Sequence, residues 1–357
     1  MGNMPNNYFN QETFLYNKKL DKIKEQLPDY VSGFFTARSF TTTAKTKYAY
    51  ASDLHTFFNY LHENNPMLQK KSLKEISLDD LNQLTAKDLE EFQSDMAYYE
   101  NKETGRVYIN KRPSIARKLS TLRSFFSYLY REGDISQNIT QLVDIPKIPK
   151  HNIVRLDPEE ISDIFDYMES CHDKLSPQQQ AFYEKTIIRD TAIITLLLGT
   201  GLRISECIGL DIDDVNFKDD SLAITRKGGK EAIVYFGDEV EEALGDYMDS
   251  RENIVANKGS EKALFLSLQK NRISADAIRD VVKKYTKPVT NKRITPHKFR
   301  STFGTALYQS TNDIYLVADV LGHEDVNTTR DFYADLDNQR KKEARNVVKL
   351  RKKDETE

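Results

Sequence analysis

The stretch IITLLLGTGLRISECIGL, Ile193 to Leu210, changes character halfway along. Its first part closes a helical pattern that begins at EKTIIRDTA and is stopped by Gly199 and Gly201. The chain then runs directly into Arg203, with Glu206 three residues later. The longest apolar run, Ala192 to Leu198, is far too short to span a bilayer. A cation set at the end of a buried helix is most often a surface ion-pair residue, so its purpose has to be read from the rest of the chain.

At 357 residues the chain is long enough for two domains, each with its own core. A mean hydropathy of -0.63 and 30% charged residues exclude a membrane protein and favour a helix-rich one. The N-terminus MGNMPNNYFN lacks the basic and apolar regions of a secretory signal, which predicts a cytoplasmic protein. Cys171 and Cys207 stand at no metal-like spacing, which argues against a disulfide framework and a zinc site and suits a reducing compartment.

A net charge of -3 and a pI near 6.2 lean against a nucleic-acid partner, but the charge is blocked along the chain. KRPSIARKLSTLR, Lys111 to Arg123, holds five basic residues (Lys111, Arg112, Arg117, Lys118, Arg123) and no acid. KKYTKPVTNKRITPHKFR, Lys283 to Arg300, holds seven, among them Lys283, Lys284, Lys292, Arg293 and Lys298, and again no acid. Runs of this kind are commonly solvated helix faces. Gathered on one side, they make a phosphate-binding face on a chain that is neutral overall.

KYAYASDLHTFFNYLHE from Thr46, TAKDLEEFQSDMAYY with Thr85 as N-cap and Asp88 three later, and SIARKLSTLRSFFSYLYREGD closed by Gly133 all read as helices. Prolines at 146, 149 and 158 mark a linker, with the domain boundary near Lys150. Beyond it LDPEEISDIFDYME and EKTIIRDTAIITLLLGTG are helical, SLAITRKGGKEAIVYF is a β-hairpin around Gly228-Gly229, and Asp276 to Asn346 is helical again. The fold class is therefore mainly α with a small β-hairpin sheet.

Four scattered stretches belong together: TGLRISE (Thr200 to Glu206), TRKGGKE (Thr225 to Glu231), TPHKFR (Thr295 to Arg300) and LGH (Leu321 to His323) followed by Tyr333. Singly, each has a bland explanation as an ion-pair arginine, a hairpin lysine, a capping histidine or a turn residue. In this order they closely resemble the catalytic domain of the tyrosine recombinase (phage integrase) family, from about Asp190 to Leu336. The resemblance implies catalytic roles for Arg203, Lys227, His297, Arg300, His323 and Tyr333, with Tyr333 the nucleophile. It is Xer-like in detail and similar to the XerS type in length.

What the resemblance implies is a two-domain DNA clamp. Residues 1–40 are an N-terminal extension, 41–145 a helical SAM-like core-binding domain, 146–158 a linker, and 159–357 an α+β catalytic domain with a C-terminal tail. Double-stranded DNA is the implied partner, bound by a homotetramer on two sites through that tail, with a DNA translocase as a further partner for a Xer-type member. Two departures from the family pattern stand out. Phe332 occupies the usual tyrosine position nine residues after the L-G-H histidine, and one extra residue in EDVNTT restores Tyr333 to it. Ser301 stands where a second histidine often follows H-x-x-R.

The residue types also suit the chemistry independently. A phosphodiester in its transition state gathers charge on its equatorial oxygens, which arginines relieve with forked, permanently charged donors. A histidine titrating near neutrality can take the phenolic proton, and a hairpin lysine can supply one to the departing 5′-oxygen. Bond energy is conserved through a 3′-phosphotyrosyl link, so no metal or other cofactor is expected; the chain has no P-loop motif and no two-metal carboxylate cluster. Two other readings share these residues: a DNA-binding regulator that keeps the fold without cleavage, and a type IB topoisomerase-like relaxing enzyme.

Overall fold

The computed structural model describes residues 8–101, 106–148, 154–226 and 229–323. The chain divides into two compact units, Met1–His151 and Asn152–Glu357. Among the described residues no helix is long and apolar enough to cross a membrane.

The first unit contains α1 (Tyr8–Lys24), α2 (Val31–Thr36), α3 (Ala44–Asn64), α4 (Leu78–Asn82), α5 (Ala86–Ala97) and α6 (Arg112–Glu132). A short antiparallel pair, β1 (Tyr99–Asn101) and β2 (Arg106–Tyr108), connects the last two helices. Local chemistry sets the helix ends. Thr85 and Asp88 form the reciprocal cap of α5, the Thr85 N–H donating to the Asp88 carboxylate at 2.7 Å. Gly133 closes α6 at φ 82°, a conformation that side chains with a Cβ resist.

Phenylalanines fill this unit. Phe34, Phe57, Phe58, Phe92, Phe125 and Phe126 are fully buried, with Phe34 edge-on to Phe125 at 5.4 Å and Phe57 edge-on to Phe92 at 5.2 Å. Burying each ring contributes up to about 3 kcal/mol, so this cluster is the main driving force of the unit. The residues before 41, expected as an extension, build into the same core: Leu20, Leu27, Val31, Phe34 and Phe35 belong to it, and α1 lies along α3. An apolar stripe in the sequence announces a buried face without saying what covers it.

The second unit contains α7 (Pro158–Ser170), α8 (Pro177–Thr200), α9 (Ile204–Gly209), β3 (Val215–Asn216), β4 (Ser221–Thr225), β5 (Glu231–Tyr235), α10 (Asp238–Glu252), α11 (Ala275–Thr286), α12 (Pro296–Thr311) and α13 (Ile314–Leu321). The α8 helix is central and packs against both α10 and α12. Its helical turns continue through Gly199, correcting the expectation that this glycine stops them; the bare position gives room to Val240, whose Cγ2 would stand 2.5 Å from an added Cβ. Gly201 alone ends the helix.

The hairpin is present, β4 pairing antiparallel with β5 from Ser221 opposite Tyr235 to Thr225 opposite Glu231. Leu222, Ile224 and Val234 face the core while Ala223, Ile233 and Tyr235 face outward, as period-two alternation requires. The two-residue strand β3 adds to the far edge of β4 and carries too little pattern to have been foreseen.

Candidate active site

The site is built where α8, α12 and α13 end or begin. After Thr200 the backbone turns through Gly201 at φ +64°, and a Cβ there would meet Phe303 Cδ1 at 2.5 Å, so only glycine fits. Arg203 then caps α9. Its backbone N–H donates to Glu206 Oε2 at 2.8 Å, and its Nη1 donates to Oε1 of the same carboxylate at 2.7 Å. Glu206 is 4% exposed, so one buried carboxylate serves as helix cap and as counter-charge that aims the guanidinium.

Arg300 arrives from the first turns of α12 and is also 4% exposed. Its Nη1 donates to the Gly201 carbonyl at 2.7 Å and its Nη2 to the Leu321 carbonyl. Arg203 Nη2 donates to the next carbonyl along, Gly322, at 2.7 Å. Ser301, in the place of the second histidine, donates from Oγ to the His297 carbonyl at 3.0 Å and so braces the first turn of α12.

The end of α13 explains the convergence. Gly322 adopts φ 61° and ψ 49°; its N–H returns to Asp319 O at 2.8 Å and the His323 N–H to Ala318 O at 2.8 Å, the double return of a glycine C-cap. This cap leaves the last carbonyls of the helix pointing outward with the negative end of its dipole. Arg226, at the exit of β4, donates to the Asp319 and Val320 carbonyls at 3.2 and 2.9 Å. Three guanidinium groups thus serve four consecutive carbonyls, 319 to 322.

His323 leaves this cap directly and sits half-buried. Desolvation first, then the charges of Arg300, Arg203, His297 and Arg226, push its imidazole down to about 4. His297 stands one turn before Arg300 and is lowered in the same way, by desolvation and by Lys298, Arg300 and Arg203. Both rings are therefore held in their neutral form near pH 7, able to donate one hydrogen bond and accept another. Lys227 and Tyr333 lie outside the described residues.

Glu206 and Arg226 were not singled out from the sequence as site residues. The i, i+3 spacing of Arg203 and Glu206 at a helix start is a legible signal for the first. Nothing local announces the second, whose partners lie on α13.

The basic residues sort into two groups. Lys111, Arg112, Lys283 and Arg293 are exposed, Lys118 and Lys298 half-buried, and none of the six has an ion pair among the described residues. The other four are engaged inside their own units. Arg117 forks onto the buried Asp53, which Thr121 also binds at 2.8 Å. Arg123 donates to the carbonyls of Thr140 and Val143 at 3.2 and 2.6 Å. Lys284 reaches Asp190 at 3.3 Å and Tyr285 at 2.7 Å, and Lys292 reaches Glu160 at 2.6 Å and Asp157 at 3.0 Å. A charge run without acids hides such pairs, because the carboxylates come from elsewhere in the chain.

The phage integrase family profile matches residues 154–340, and the SAM-like N-terminal domain of phage integrases matches residues 35–133. The chain belongs to the phage integrase family. Among curated relatives, the tyrosine recombinase XerS of Streptococcus agalactiae is 31% identical over 361 residues, covering 92% of this chain and 97% of its own. The tyrosine recombinase XerC of Caldanaerobacter subterraneus is 32% identical over 327 residues, covering 90% and 85%. The fold is shared with solved structures at lower identity. The Tn1549 transposon integrase in complex with transposon right end DNA matches at TM-score 0.61 and 20% identity, covering 92% of this chain and 99% of its own. The XerH site-specific recombinase bound to its difH substrate matches at TM-score 0.59 and 22% identity, covering 88% and 82%. Like its curated relatives, the protein is a tyrosine recombinase.

Proposed function

We propose that this recombinase breaks one DNA strand at a specific site by attack of the Tyr333 phenol oxygen on the scissile phosphorus. The bond from phosphorus to the 5′-oxygen breaks, the 3′-phosphotyrosyl bond replaces it, and a 5′-hydroxyl from another cut strand reverses the step. Arg203 and Arg300 hold the non-bridging oxygens and offset the charge that develops on them. His323 adds a hydrogen bond, His297 accepts the phenolic proton, and Lys227 gives a proton to the leaving 5′-oxygen.

The observation that carries this reading is the meeting of Arg203 and Arg300 on adjacent carbonyls, Gly322 and Leu321, immediately beside His323. Two guanidinium groups held within one turn of each other, with neutral imidazoles alongside, form a cradle for a tetrahedral anion. A guanidinium carries five N–H donors, so Arg203 retains some after serving Glu206 and Gly322. Lys111, Arg112, Lys118, Lys283, Arg293 and Lys298 supply the wider attraction to the duplex. Arg117, Arg123, Lys284 and Lys292 shape the elements that carry them.

The reading extends to a tetramer on two DNA sites joined through the tail after Tyr333. The strand exchange that follows either resolves chromosome dimers, with a DNA translocase as partner, or integrates and excises a mobile element.

The test is covalent capture on DNA. Full-length protein incubated with fragmented genomic DNA is expected to become linked to it at a recurrent sequence, and a nicked duplex bearing that sequence should trap the adduct. Tyr333→Phe should form none, whereas Phe332→Ala should still form it. An adduct surviving Tyr333→Phe would move the nucleophile elsewhere; adducts without sequence preference would point to a relaxing enzyme, and none at all to a regulator.

A further inference from the structure

Arg226 stands apart from the six residues given catalytic roles above. Its guanidinium lies flat across the C-cap of α13, with Nη1 and Nη2 on the carbonyls of Asp319 and Val320, and its Nε is buried with no hydrogen-bond partner among the described residues. The approach is as close as a glycine permits: a Cβ on Gly322 would stand 2.4 Å from Nη1, 2.6 Å from Cζ and 2.8 Å from Nε. Ordering a long side chain costs rotamer entropy, and an unpaired buried N–H costs a further desolvation penalty. Two hydrogen bonds from a charged donor offset costs of this size, so the informative feature is the place where the arginine is held.

That place is the junction of two parts of the site. Arg226 is the first residue after β4, its N–H accepted by the Lys230 carbonyl at 2.7 Å and its own carbonyl accepting from the Gly229 N–H at 3.1 Å, so it closes the hairpin turn at its base. The residue after it in the chain is Lys227. Its side chain, in contrast, belongs to the α13 cap, from which His323 emerges and to which Arg203 and Arg300 are bonded.

We propose that Arg226 is a positioning residue that latches the base of the β4–β5 turn to the last carbonyls of α13, and thereby fixes where the following lysine delivers its proton. The proposal rests on the reading of Lys227 as donor to the 5′-oxygen. Arg226 is set apart from the two phosphate clamps by where it binds: it reaches the carbonyls of Asp319 and Val320, farther from His323, while Arg203 and Arg300 hold the two nearest it. Lysine cannot replace it, because one ammonium cannot span two carbonyls with the planar fork that lies over Gly322.

The experiment compares full-length wild type, Arg226→Ala, Arg226→Lys and Lys227→Ala on a duplex carrying the genomic site at which wild type forms its covalent adduct. Each is assayed in a single turnover with oxygen or with sulfur at the bridging 5′ position. A thiol ionises near a pH of about 8.5, so sulfur departs as thiolate and needs no donated proton. Arg226→Ala and Arg226→Lys are expected to slow adduct formation on the oxygen duplex by roughly tenfold to hundredfold, and to recover to within about threefold of wild type on the sulfur duplex. Equal slowing on both duplexes, or no slowing on either, would overturn the proposal.

Amide hydrogen exchange on the same proteins without DNA reads the latch directly. Arg226→Ala should exchange faster at β4, β5 and the Gly322–His323 turn, with α8 and α10 unchanged; protection equal to wild type there would also overturn it. If Lys227→Ala is not restored by sulfur, the donor has been misassigned, and that failure is visible separately from the exchange result.

Discussion

Arg203, the N-cap of α9, and Arg300, within α12, donate to adjacent carbonyls at one helix end, Arg203 to Gly322 at 2.7 Å and Arg300 to Leu321. The C-terminus of α13 acts as their common counter-charge and sets the spacing between the two guanidinium groups. Because Arg300 also caps Gly201 at 2.7 Å, the same side chain ties the end of α8 to the end of α13.

Arg300→Lys keeps a charge and loses the fork. Single-turnover cleavage is expected to fall by roughly 10² to 10³. The variant should also melt at lower temperature, since hydrogen bonds to a charged group contribute about 1.5–3 kcal/mol each. Cleavage at the wild-type rate would remove Arg300 from the site.

Glu206→Gln retains an acceptor for the Arg203 N–H but removes the charge that aims the guanidinium. Cleavage should drop by about tenfold, near 1.4 kcal/mol of transition-state stabilisation, while the melting temperature changes little. Glu206→Ala removes the cap as well and should cost about 1 kcal/mol of stability on top. Thermal melts read beside cleavage rates separate the two effects.

Gly322→Ala and Gly133→Ala form a matched pair. Both glycines have positive φ, +61° and +82°, but an added Cβ at 133 meets nothing within 4 Å whereas one at 322 meets the Arg226 guanidinium. Left-handed strain alone costs about 1–2 kcal/mol. Gly133→Ala should lose that much in a denaturant titration, and Gly322→Ala should lose more and cleave poorly. Equal losses would mean that Arg226 moves aside freely.

The depressed imidazole of His323 makes stability depend on acid. Its ordinary value is 6.5 and the folded value about 4, so between those limits the unfolded chain binds more protons than the folded one. Stability from this group is fully present above 6.5 and is lost as pH falls toward 4. Melting curves from pH 7 to 4 should therefore fall more steeply for wild type than for His323→Asn. Parallel curves would show that the ring titrates normally.

Salt dependence distinguishes the two groups of basic residues. Removing a phosphate contact lowers the slope of log affinity against log salt by about 0.9, which is expected for Lys118→Ala and Lys298→Ala. Arg123→Ala and Lys292→Ala should leave the slope nearly unchanged and lower the melting temperature, because their partners are Thr140, Val143, Glu160 and Asp157. Filter binding across a salt series gives the slopes.

Much of this was legible in the sequence because it is encoded locally. The Thr85–Asp88 cap, the αL closures at Gly133 and Gly201, and the alternation of β4 and β5 depend on residues a few positions apart. Gly199 misled for the same reason: a glycine near a helix end looks like a stop, and only the approach of Val240 from α10 reveals it as a packing site. The packing of Leu20, Leu27 and Val31 into the core of the first unit was not legible, because an apolar stripe does not name the surface that covers it.

The order of residue types predicts the mainly helical class and the hairpin, and its resemblance to a known family implies the set of cations and imidazoles suited to a phosphodiester. Where those groups stand was decided in three dimensions. The end of α13 offers four carbonyls to whatever donors the fold brings near, and the packing of α9, β4 and α12 around it brought Arg203, Arg226 and Arg300. The same holds for Arg117 and Lys292, whose carboxylate partners Asp53 and Glu160 come from elsewhere in the chain. Coulomb and hydrogen-bond energies depend on distance and burial, and neither quantity is written in a linear order of residues.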